Sequence, residues 1–539
     1  MSLSLLSRYA FFAACVLFTL ASLPFSHHEW LWPFTLTTGI LSLIGLFDLL
    51  QQRHAVRRNY PVLGNIRYLV EAIRPEIRQY LLESDSDALP FSRAQRSLVY
   101  ARAKNEASDK PFGTLIDVYE SGFEFIGHSM RPAPLADPAS FRVIVGGPQC
   151  SQPYSASIFN ISAMSFGSLS ANAIRALNQG AKLGNFHHDT GEGSISPYHR
   201  EHGGDLVWEL GSGYFGCRTP DGRFDPERFA AQARSPQVRM IEIKMSQGAK
   251  PGHGGILPKH KVTQEIAETR GVLMGEDCIS PSRHSAFSTP IEMMQFIAQL
   301  RELSGGKPVG FKFCLGHPWE FMGIAKAMLE TGILPDFIVV DGKEGGTGAA
   351  PVEFTDHIGV PLREGLLFVH NTLVGLNLRD KIKLGASGKI VSAFDIASVL
   401  AIGADWANSA RGFMFAIGCI QSQSCHTNKC PTGVATQDPL RQRALVVPDK
   451  AQRVLNFHHN TLRALAEMLA AAGLEHPAQL EAKHLVRRIS ATEIKLFSQM
   501  HVFLKPGELL TGEVNGQFYS RMWQLARADS FEPHSEVAA

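Results

Sequence analysis

The sequence has almost no surplus of charge of either sign. Its 539 residues carry 52 Lys and Arg against 50 Asp and Glu, which gives a formal net charge of +2. A nucleic-acid partner calls for a basic excess, so this balance gives no case for one. With 45% hydrophobic and 19% charged residues, the composition is that of a globular protein. The length allows roughly two to four domains, although one large α/β barrel could absorb most of it.

Cysteine is scarce, with eight residues in the whole chain. Five of them are scattered without any regular spacing: Cys15, Cys150, Cys217, Cys278 and Cys314. A secreted protein held together by disulfides would show a framework of closely spaced cysteines. The scatter therefore favours buried thiols in a reducing compartment.

The other three cysteines lie close together in the stretch GCIQSQSCHTNKCPTGVATQDP. They are Cys419, Cys425 and Cys430, with the spacing C-x5-C-x4-C followed by proline. Thiolates held this close on a loop suit an iron–sulfur cluster. Three ligands indicate a cluster that lacks one iron corner, or whose fourth iron takes another ligand. The alternatives are coincidence or a zinc knuckle, for which His426 is the nearest fourth ligand.

Two long uncharged runs stand at the N-terminus. Residues 9–25 read YAFFAACVLFTLASLPF, and residues 30–50 carry no charge before Asp48. Each is close to the ~20 residues that a membrane-spanning helix needs. Arginines flank the pair at positions 8, 53, 57 and 58, whereas the linker SHHE has no Lys or Arg. The positive-inside rule then predicts a hairpin in the cytoplasmic membrane with the catalytic body in the cytoplasm. The alternative is that the first run is a cleaved signal peptide.

Residues 51–150 are predicted to form a helical juxtamembrane collar. Apolar residues recur there at intervals of three and four, as in an amphipathic helix, and Pro61 and Pro75 interrupt the pattern. The collar would join the anchor to the body. Its arginines could instead contact anionic lipid headgroups.

From about residue 157 short apolar runs alternate with helical stretches, which is typical of a parallel sheet. The strands count to about eight, and no GxGxxG follows the first, so a (β/α)8 TIM barrel is favoured over an open sheet. Residues 187–237 are expected to be an insertion at the catalytic rim. The predicted domains are a transmembrane hairpin at 1–50, the collar at 51–150, the barrel at 151–475 and a C-terminal extension at 476–539.

Glycine-rich turns follow the last three predicted strands, at residues 345–348, 385–388 and 409–412. Barrels of this kind often bind a phosphate with backbone N–H groups at that place. A one-electron cluster beside small-molecule chemistry also needs an adaptor to two-electron chemistry, which FMN provides with its single phosphate. Lys312, on the fifth predicted strand, would suit the N1/O2 edge of the flavin. The alternative is that a barrel carboxylate pairs with it.

Several stretches resemble the FMN-binding synthase domain of glutamate synthase. They are MSFGSLS, DTGEG, IKMSQGAKPGHGG, ISP, GGTGAAP and the cysteine stretch, and together they span about half the chain. The N-terminal third looks like that of membrane-anchored bacterial glutamate synthase-like flavoproteins. The resemblance implies an oxidoreductase of the CH–NH2 class in which FMN and a 3Fe–4S cluster lie side by side. Hydride would pass from flavin N5 to the α-carbon of 2-iminoglutarate, giving glutamate.

The resemblance also implies roles for particular residues. Cys419, Cys425 and Cys430 match the cluster ligands. Lys250 and Arg270 match positions that hold the carboxylates of 2-oxoglutarate, and Glu192 matches an acid placed to manage protons as ammonia condenses. The residues expected around FMN are Met164, Ser165, Gln247, Lys312, Gly345, Gly346, Thr347, Gly385, Ser387, Gly388, Arg411 and Gly412.

The sequence departs from the family pattern in several ways. Where the motif reads GGQLPG this chain has GGILPK, so Ile256 replaces a substrate-binding glutamine, and His253 replaces a glutamate. Such a change can alter the substrate. The protein is also expected to lack the glutaminase and pyridine-nucleotide modules of the full enzyme. Ammonia or an amine would then come from solution or a separate subunit, and electrons from a ferredoxin-like or membrane donor.

Three functions are compatible with these features. The first is an FMN- and iron–sulfur-dependent enzyme that acts on a small 2-oxo or amino acid such as glutamate. The second is a membrane-anchored electron-transfer module with no amino-acid substrate, which Ile256 and the anchor favour. The third is a flavin-binding scaffold without activity, against which the charged groups at the barrel rim argue.

Overall fold

The computed structural model describes residues 3–51, 53–84, 90–512, 514 and 517–535. The chain forms two compact units, Met1–Asp87 and Ala88–Ala539. Parts of the predicted hairpin (1–2), collar (52 and 85–89) and C-terminal extension (513, 515–516 and 536–539) lie outside the described residues.

The first unit is helical. Its helices are α1 (Leu3–Ser22), α2 (Trp32–Leu50), α3 (Ala55–Asn59) and α4 (Gly64–Ile77), and a π-helical turn follows at Arg78–Leu82. Helices α1 and α2 form a hairpin joined by hydroxyl hydrogen bonds. Thr19 Oγ1 donates to Thr38 Oγ1 (2.9 Å), and Thr35 Oγ1 donates to Ser22 Oγ (2.9 Å).

Both hairpin helices are long and apolar enough to cross a bilayer, over residues 8–25 and 32–50. Most of their large side chains are exposed, Leu43 and Leu50 among them. Asp48 is buried, and its carboxylate accepts from the backbone N–H of Val62 (3.0 Å). The expected interruption at Pro75 is wrong, because α4 runs through that position.

The second unit contains a closed barrel of eight parallel strands. The strands are β1 (Phe159–Ile161), β2 (His188–Asp189), β3 (Leu206–Leu210), β4 (Val238–Lys244), β5 (Val309–Phe313), β6 (Phe337–Asp341), β7 (Lys383–Ser387) and β8 (Trp406–Ser409). The barrel closes where Ala407 of β8 pairs with Phe159 of β1. The predicted (β/α)8 barrel is confirmed.

Apolar strand residues explain why the barrel forms. Trp208, Phe311, Phe337 and Trp406 are completely buried, as expected for parallel strands covered by helices on the outside. Hydrophobic burial of this kind is the main stabilising contribution to the barrel. The α-helices of the second unit are Arg93–Lys104, Ala171–Gly184, Pro197–Arg200, Pro226–Ala233, Gln264–Arg270, Pro290–Leu303, Pro318–Thr331, Val352–His357, Leu362–Gly375, Ala393–Ile402, Arg411–Ala416, Pro439–Gln442, Val447–Ala471, Phe497–Met500, Glu508–Thr511 and Gln517–Leu525.

The predicted insertion at residues 187–237 is wrong, because this segment contributes strands β2 and β3. β2 has only two residues, and the apolar run of β3 is short and lies between polar loops. The sequence pattern typical of a strand is therefore weak in this segment. The long excursion at the rim follows β4 instead, at residues 245–289. It contains the short strands Ile256–Leu257 and Cys278–Ile279 and the helix Gln264–Arg270.

Smaller sheets lie outside the barrel. Glu124–Ile126, Leu485–Arg488 and Ile494–Leu496 form a three-stranded antiparallel sheet, and Arg142–Val145 pairs with Tyr154–Ser157. The first of these sheets joins residues from the predicted collar and from the predicted C-terminal extension. The proposed boundaries near residues 50, 150 and 475 remain predictions.

Candidate active site

Two adjoining cavities lie at the carboxyl ends of the barrel strands, where barrel enzymes carry their chemistry. Counting space open to solvent, the first measures about 690 Å³ and the second about 1020 Å³. Pockets for cofactors and small molecules are of this size. The cavities share Ser165, Glu192, Gln247, Gly346 and Arg411 in their walls.

The first cavity brings together most of the residues expected around FMN. Its walls include Ser165, Gln247, Lys312, Gly345, Gly346, Ser387, Gly388, Arg411 and Gly412. Arg411 connects the turns after β6 and β8, since its Nη2 donates to the carbonyl of Thr347 (2.6 Å). Gly346 lies so close that a Cβ atom there would be 2.9 Å from Arg411 Nε. A glycine at this position therefore keeps the turn open beside the guanidinium group.

Three of the expected FMN residues lie elsewhere. Met164 and Thr347 line the second cavity. Gly385 lines neither cavity, because it lies inside β7 under the ring of Trp406, where a Cβ would be 2.6 Å from Cε2. Packing against the indole explains this glycine.

Glu192 stands between the two cavities and is tightly paired. Its Oε1 lies 2.9 Å from Lys244 Nζ at the end of β4, and Ser280 Oγ donates to its Oε2 (3.1 Å). Burial raises the pKa of Glu192, but the Lys244 ammonium, together with Arg270 and the Ser280 hydroxyl, outweighs burial and lowers the pKa to about 2. Glu192 is therefore a carboxylate at neutral pH.

Lys250 and Arg270 contribute positive charge to the second cavity. Both side chains are buried, and among the described residues neither has a carboxylate partner within ion-pairing distance. Arg270 Nη2 donates to the carbonyl of Phe166 (2.8 Å), whereas its buried Nε makes no hydrogen bond. Burial lowers the pKa of Lys250, and the nearby Lys244 lowers it further. The Glu192 carboxylate acts on both cations from beyond ion-pairing distance and is already paired with Lys244. An anionic ligand would therefore satisfy this donor set.

The two substituted positions of the family motif lie in different places. Ile256 is in the wall of the second cavity and is 47% exposed, so an apolar side chain meets the ligand space where the motif has glutamine. His253 is not part of that wall. Its ring packs edge-on against Phe354, and its Nδ1 lies 2.8 Å from the carbonyl of Gly254.

The rim loop after β4 is held against β6 by backbone contacts. The N–H of Gly248 donates to Asp341 Oδ2 (2.8 Å), and a Cβ on Gly248 would come within 1.7 Å of the carbonyl of Gly342. Only glycine fits this close approach. The contact holds Gln247 and Lys250, on either side of Gly248, at the cavities.

Lys312 lies among carboxylates at the floor of the first cavity. Its Nζ forms an ion pair with Glu209 of β3 and lies 3.4 Å from Oε1 of Glu242 on β4. All three side chains are buried. The two sequence interpretations of Lys312 are thus compatible, because the lysine has carboxylate partners and also lines the cavity.

The cysteine loop follows β8 and the helix Arg411–Ala416. Cys419 and Cys430 are buried, and Cys425 is half-buried and lines the second cavity beside exposed His426. A residue from outside the loop helps to hold it, because the Tyr100 hydroxyl donates to the carbonyl of Cys419 (2.7 Å). Of the three cysteines Cys425 lines the second cavity, so the loop that carries them reaches the edge of that cavity.

The thiols differ in their surroundings. Burial raises the pKa of Cys419 to about 11, and the neighbouring sulfurs contribute. Burial also acts on Cys430, but backbone N–H groups, that of Ala435 first, outweigh it and hold the pKa of this thiol below its usual range. N–H donors pointed at sulfur are typical of iron–sulfur sites.

The zinc alternative is not favoured by the loop. Tetrahedral coordination at about 2.3 Å per bond would bring the zinc-binding sulfurs to about 3.8 Å from each other. In the described part of the chain, Cys419, Cys425, Cys430 and His426 do not form a set whose ligand atoms lie within 4.8 Å of one another. In an iron–sulfur cluster each thiolate binds a different iron, so the cysteine sulfurs can lie farther apart than they would around one zinc ion.

Sequence reasoning assigned no role to four side chains of the site, although Lys244 and Asp341 were recognised as polar strand ends. Lys244 pairs with Glu192, and Glu209 and Asp341 line the first cavity. Buried Lys261 lies in the second cavity with its Nζ 3.2 Å from the carbonyl of Cys425. Lys244 and Asp341 end their strands, and that position was the one available signal for them.

Comparison with known proteins agrees with this geometry. Residues 146–475 match the family model described as the conserved region in glutamate synthase. The chain belongs to the glutamate synthase family. The predicted family and the prediction of a glutamate synthase-like oxidoreductase are thereby confirmed at the level of the family.

Individual members of this family match to different extents. The glutamate synthase large subunit-like protein YerD of Bacillus subtilis is 37% identical over 506 residues, covering 86% of this chain and 96% of YerD. The archaeal-type glutamate synthase [NADPH] of Thermotoga maritima is 33% identical over 327 residues, covering 60% of this chain and 61% of that protein. The chain thus spans less than two thirds of the archaeal-type relative.

Among solved structures, a flavocytochrome b2 mutant with pyruvate bound covers 84% of this chain and 91% of its own, at 12% identity and a TM-score of 0.40. A mandelate oxidase mutant with (S)-mandelic acid covers 80% of this chain and 98% of its own, at 16% identity and a TM-score of 0.40.

Proposed function

We propose that this chain is an FMN- and iron–sulfur-dependent oxidoreductase that reduces a 2-imino acid, 2-iminoglutarate or a related dicarboxylate, to the amino acid. One observation carries the proposal. Lys250 and Arg270, two buried cations without carboxylate partners, line the same cavity as the ionised Glu192 and the cysteine loop. A dicarboxylate would neutralise both cations.

The residues of the first cavity fit FMN. Gly345, Gly346, Ser387, Gly388 and Gly412 would offer backbone to the phosphate, with Arg411 and Lys389 as its cations. Ser165, Gln247 and Lys312 would hold the ring. When bound, FMN supplies hydride transfer and exchanges single electrons. Met164 and Thr347 are proposed as contacts on the side of the second cavity.

The cysteine loop fits a 3Fe–4S cluster. Cys419, Cys425 and Cys430 offer three soft ligands in a largely buried setting, and N–H groups stabilise the thiolate of Cys430. Such a cluster supplies one-electron transfer. Its place at the edge of the second cavity supports a role as the entry point for electrons from a ferredoxin-like or membrane donor.

Side chains of the second cavity would then bind and orient the substrate. Lys250 and Arg270 bind the two carboxylates and so fix the α-carbon. Glu192 is held ionised by Lys244, so it orients a cationic iminium group by charge and accepts its N–H hydrogen bonds. Ammonium would come from solution or from a separate subunit.

A second function has one specific observation in its favour. Ile256 places an apolar side chain in the wall of the second cavity. This favours a module that passes electrons between a carrier or quinone and a partner without binding an amino acid.

Reoxidation of the reduced holoprotein distinguishes the two functions. The full chain, purified anaerobically in detergent and reduced chemically, is mixed with 2-oxoglutarate and ammonium. We expect the flavin spectrum of the oxidised form to return and glutamate to appear in the wild type and in the Lys259→Met control, whereas Lys250→Met should need a roughly 10- to 100-fold higher concentration of 2-oxoglutarate. If carriers or quinones alone reoxidise the wild type, the electron-transfer module replaces the enzyme.

We further propose that α1 and α2 anchor the protein in the cytoplasmic membrane, with both ends of the hairpin in the cytoplasm. The length and apolar surface of the two helices support this, together with the arginines that flank the pair. The arginines of the following helices would lie near anionic headgroups.

A further inference from the structure

Three acids and one lysine form a buried cluster inside the barrel, which we name the acid–lysine cluster. Its members are Asp189 of β2, Glu209 of β3, Glu242 of β4 and Lys312 of β5. Each is at most 4% exposed. One oxygen of each carboxylate lies within 4.8 Å of the others, and Lys312 Nζ is paired with Glu209 and Glu242.

The charges of the cluster do not balance when every group is ionised. Three carboxylates facing one ammonium leave a surplus of two negative charges, and Asp341 of β6 adds another acid that interacts with Lys312. The facing ends of β1, β7 and β8 offer neutral Ser162, Ser387 and Asn408. Burying uncompensated charge is so unfavourable that carboxyl groups take up protons instead. At least one acid of the cluster is therefore neutral at physiological pH.

The electrostatics and the hydrogen bonds of the cluster also indicate that at least one of its acids is neutral. Burial, with the Glu209 carboxylate beside it, raises the pKa of Asp189 to about 7. Burial and Asp189 together hold the pKa of Glu242 well above its usual range, and Glu242 Oε1 makes no hydrogen bond. Burial lowers the pKa of Lys312, but the acids around it, Glu209 first and then Glu242, Asp189 and Asp341, together outweigh burial, so the lysine stays an ammonium ion.

A metal ion is not needed to explain the cluster, because the ammonium of Lys312 already supplies the cation among the three acids. The cluster also opens toward the active site. Glu209 and Lys312 line the first cavity together with Glu192. Asp189 Oδ1 accepts from the N–H of Gly191 (2.9 Å), directly before Glu192 in the chain.

We propose that the acid–lysine cluster is the proton donor of the active site, with Glu209 as the member that meets the cavity. The inference rests on the proposed function. Reducing C=NH2⁺ to CH–NH3⁺ consumes two electrons and two protons: the C=N π bond breaks, and one C–H and one N–H bond form. A ferredoxin-class carrier brings electrons without protons, and Glu192 is already ionised. Asp189 or Glu242 holds the acidic proton, and the Glu209 carboxylate accepts it and passes it to the cavity. The O–H bond of the neutral acid therefore breaks, and solvent reprotonates the resulting carboxylate through the cavity.

Infrared spectroscopy of the flavin-free full chain tests the proton site without any reaction. We expect a C=O stretching band of a protonated carboxylic acid at neutral pH that shifts in D2O. The band should weaken in Glu242→Gln and further in Glu209→Gln/Glu242→Gln, which leaves Asp189 alone with Lys312. It should gain intensity in Lys312→Met and stay unchanged in Glu467→Gln, an exposed control. A band that is unaffected by all these variants, or absent from the wild type, overturns the proposal.

Turnover with 2-oxoglutarate and ammonium tests the donor role. We expect kcat in Glu209→Gln to fall about 100-fold with KM little changed, and Glu209→Asp to recover part of the loss. In the wild type, kcat should decline as the pH rises past 7, and this limb should vanish in Glu209→Gln. Unchanged kcat and pH profile in Glu209→Gln overturn the donor role and leave the proposed function standing. If the wild type makes no glutamate, the proposed function and the donor role both fail, and the infrared band still decides the proton site.

Discussion

The Nζ atom of Lys244 lies 2.9 Å from Oε1 of Glu192, and the two side chains are only 11% and 16% exposed. This pairing determines the chemistry that Glu192 can perform, because a carboxyl group held ionised cannot donate a proton. The same lysine is the register partner of Lys312 across β4 and β5, so the two cations stand side by side at the strand ends. One pairs with Glu192 at the substrate side, and the other with the acid–lysine cluster.

Removing Lys244 should destabilise the fold. Lys244→Met leaves Glu192 buried without its partner, and we expect the free energy of unfolding to drop by about 3 kcal/mol. Urea denaturation at neutral pH measures this. Lys244→Arg keeps the charge and should lose much less. Equal losses in the two variants would contradict the role of the ion pair.

Lys244→Met should also change how the free energy of unfolding depends on pH on the acid side. The folded-state pKa of Glu192, about 2, lies below its unfolded value of about 4.3. Its contribution to stability is therefore fully present above about pH 4.3 and is lost as the pH falls toward 2. In Lys244→Met only Arg270 and the Ser280 hydroxyl still oppose burial, so the pKa of Glu192 rises and this part of the acid-side loss should shrink. Denaturation midpoints between pH 2 and pH 5 provide the comparison.

The iron–sulfur proposal predicts a specific loss. Anaerobically purified Cys425→Ser should lose the iron, the acid-labile sulfide and the EPR signal of the oxidised cluster, because serine offers no soft thiolate. Cys150→Ser, which changes a thiol outside both cavities, should retain all three. Wild-type protein without iron would reject the cluster itself.

Binding of a dicarboxylate should depend on Lys250. Replacing it with methionine removes a charge-assisted contact worth about 1.5–3 kcal/mol, so the Kd for 2-oxoglutarate should rise roughly 10- to 100-fold. Calorimetry on the full chain measures the Kd. Lys259→Met removes an exposed charge from the same rim loop and should bind as the wild type does. Similar affinities in all three proteins would remove Lys250 from the substrate site.

Specificity should respond to Ile256. Ile256→Gln places an amide in the wall of the second cavity, and we expect 2-oxoglutarate to bind about tenfold more tightly relative to apolar 2-oxo acids. Ile279→Gln is the matched control, since Ile279 is the strand partner of Ile256 and does not line the cavity. If the two variants show the same preference, position 256 does not select the substrate.

Topology of the hairpin can be tested by labelling. A thiol introduced by Ser26→Cys, in the turn between α1 and α2, should react with a membrane-impermeant maleimide added outside intact cells. A thiol introduced by Ala107→Cys should react only after lysis. Labelling of both positions from the outside would reverse the orientation, and recovery of the protein in the soluble fraction would remove the anchor.

Much of the fold and part of the site could be predicted from sequence. The glycine turns after β6, β7 and β8 were located because glycine and polar residues interrupt strong apolar runs. Strands β2 and β3 were missed, since two residues of β2 give no periodicity. Gly385 was assigned to the cofactor for its place in a glycine-rich turn, yet the neighbouring Trp406 explains it.

The sequence by itself determined the residue types of this site: three cysteines at fixed spacing, the family motifs, and Glu192, Lys250 and Arg270 within them. Local spacing and motif chemistry are properties of the chain and need no fold. Only the tertiary structure decided which charges face each other. Glu209 and Glu242 are far apart in sequence and become register partners across β3 and β4, with Lys312 from the next strand between the acids. Strand register sets those distances, and the distances decide which acids keep their protons.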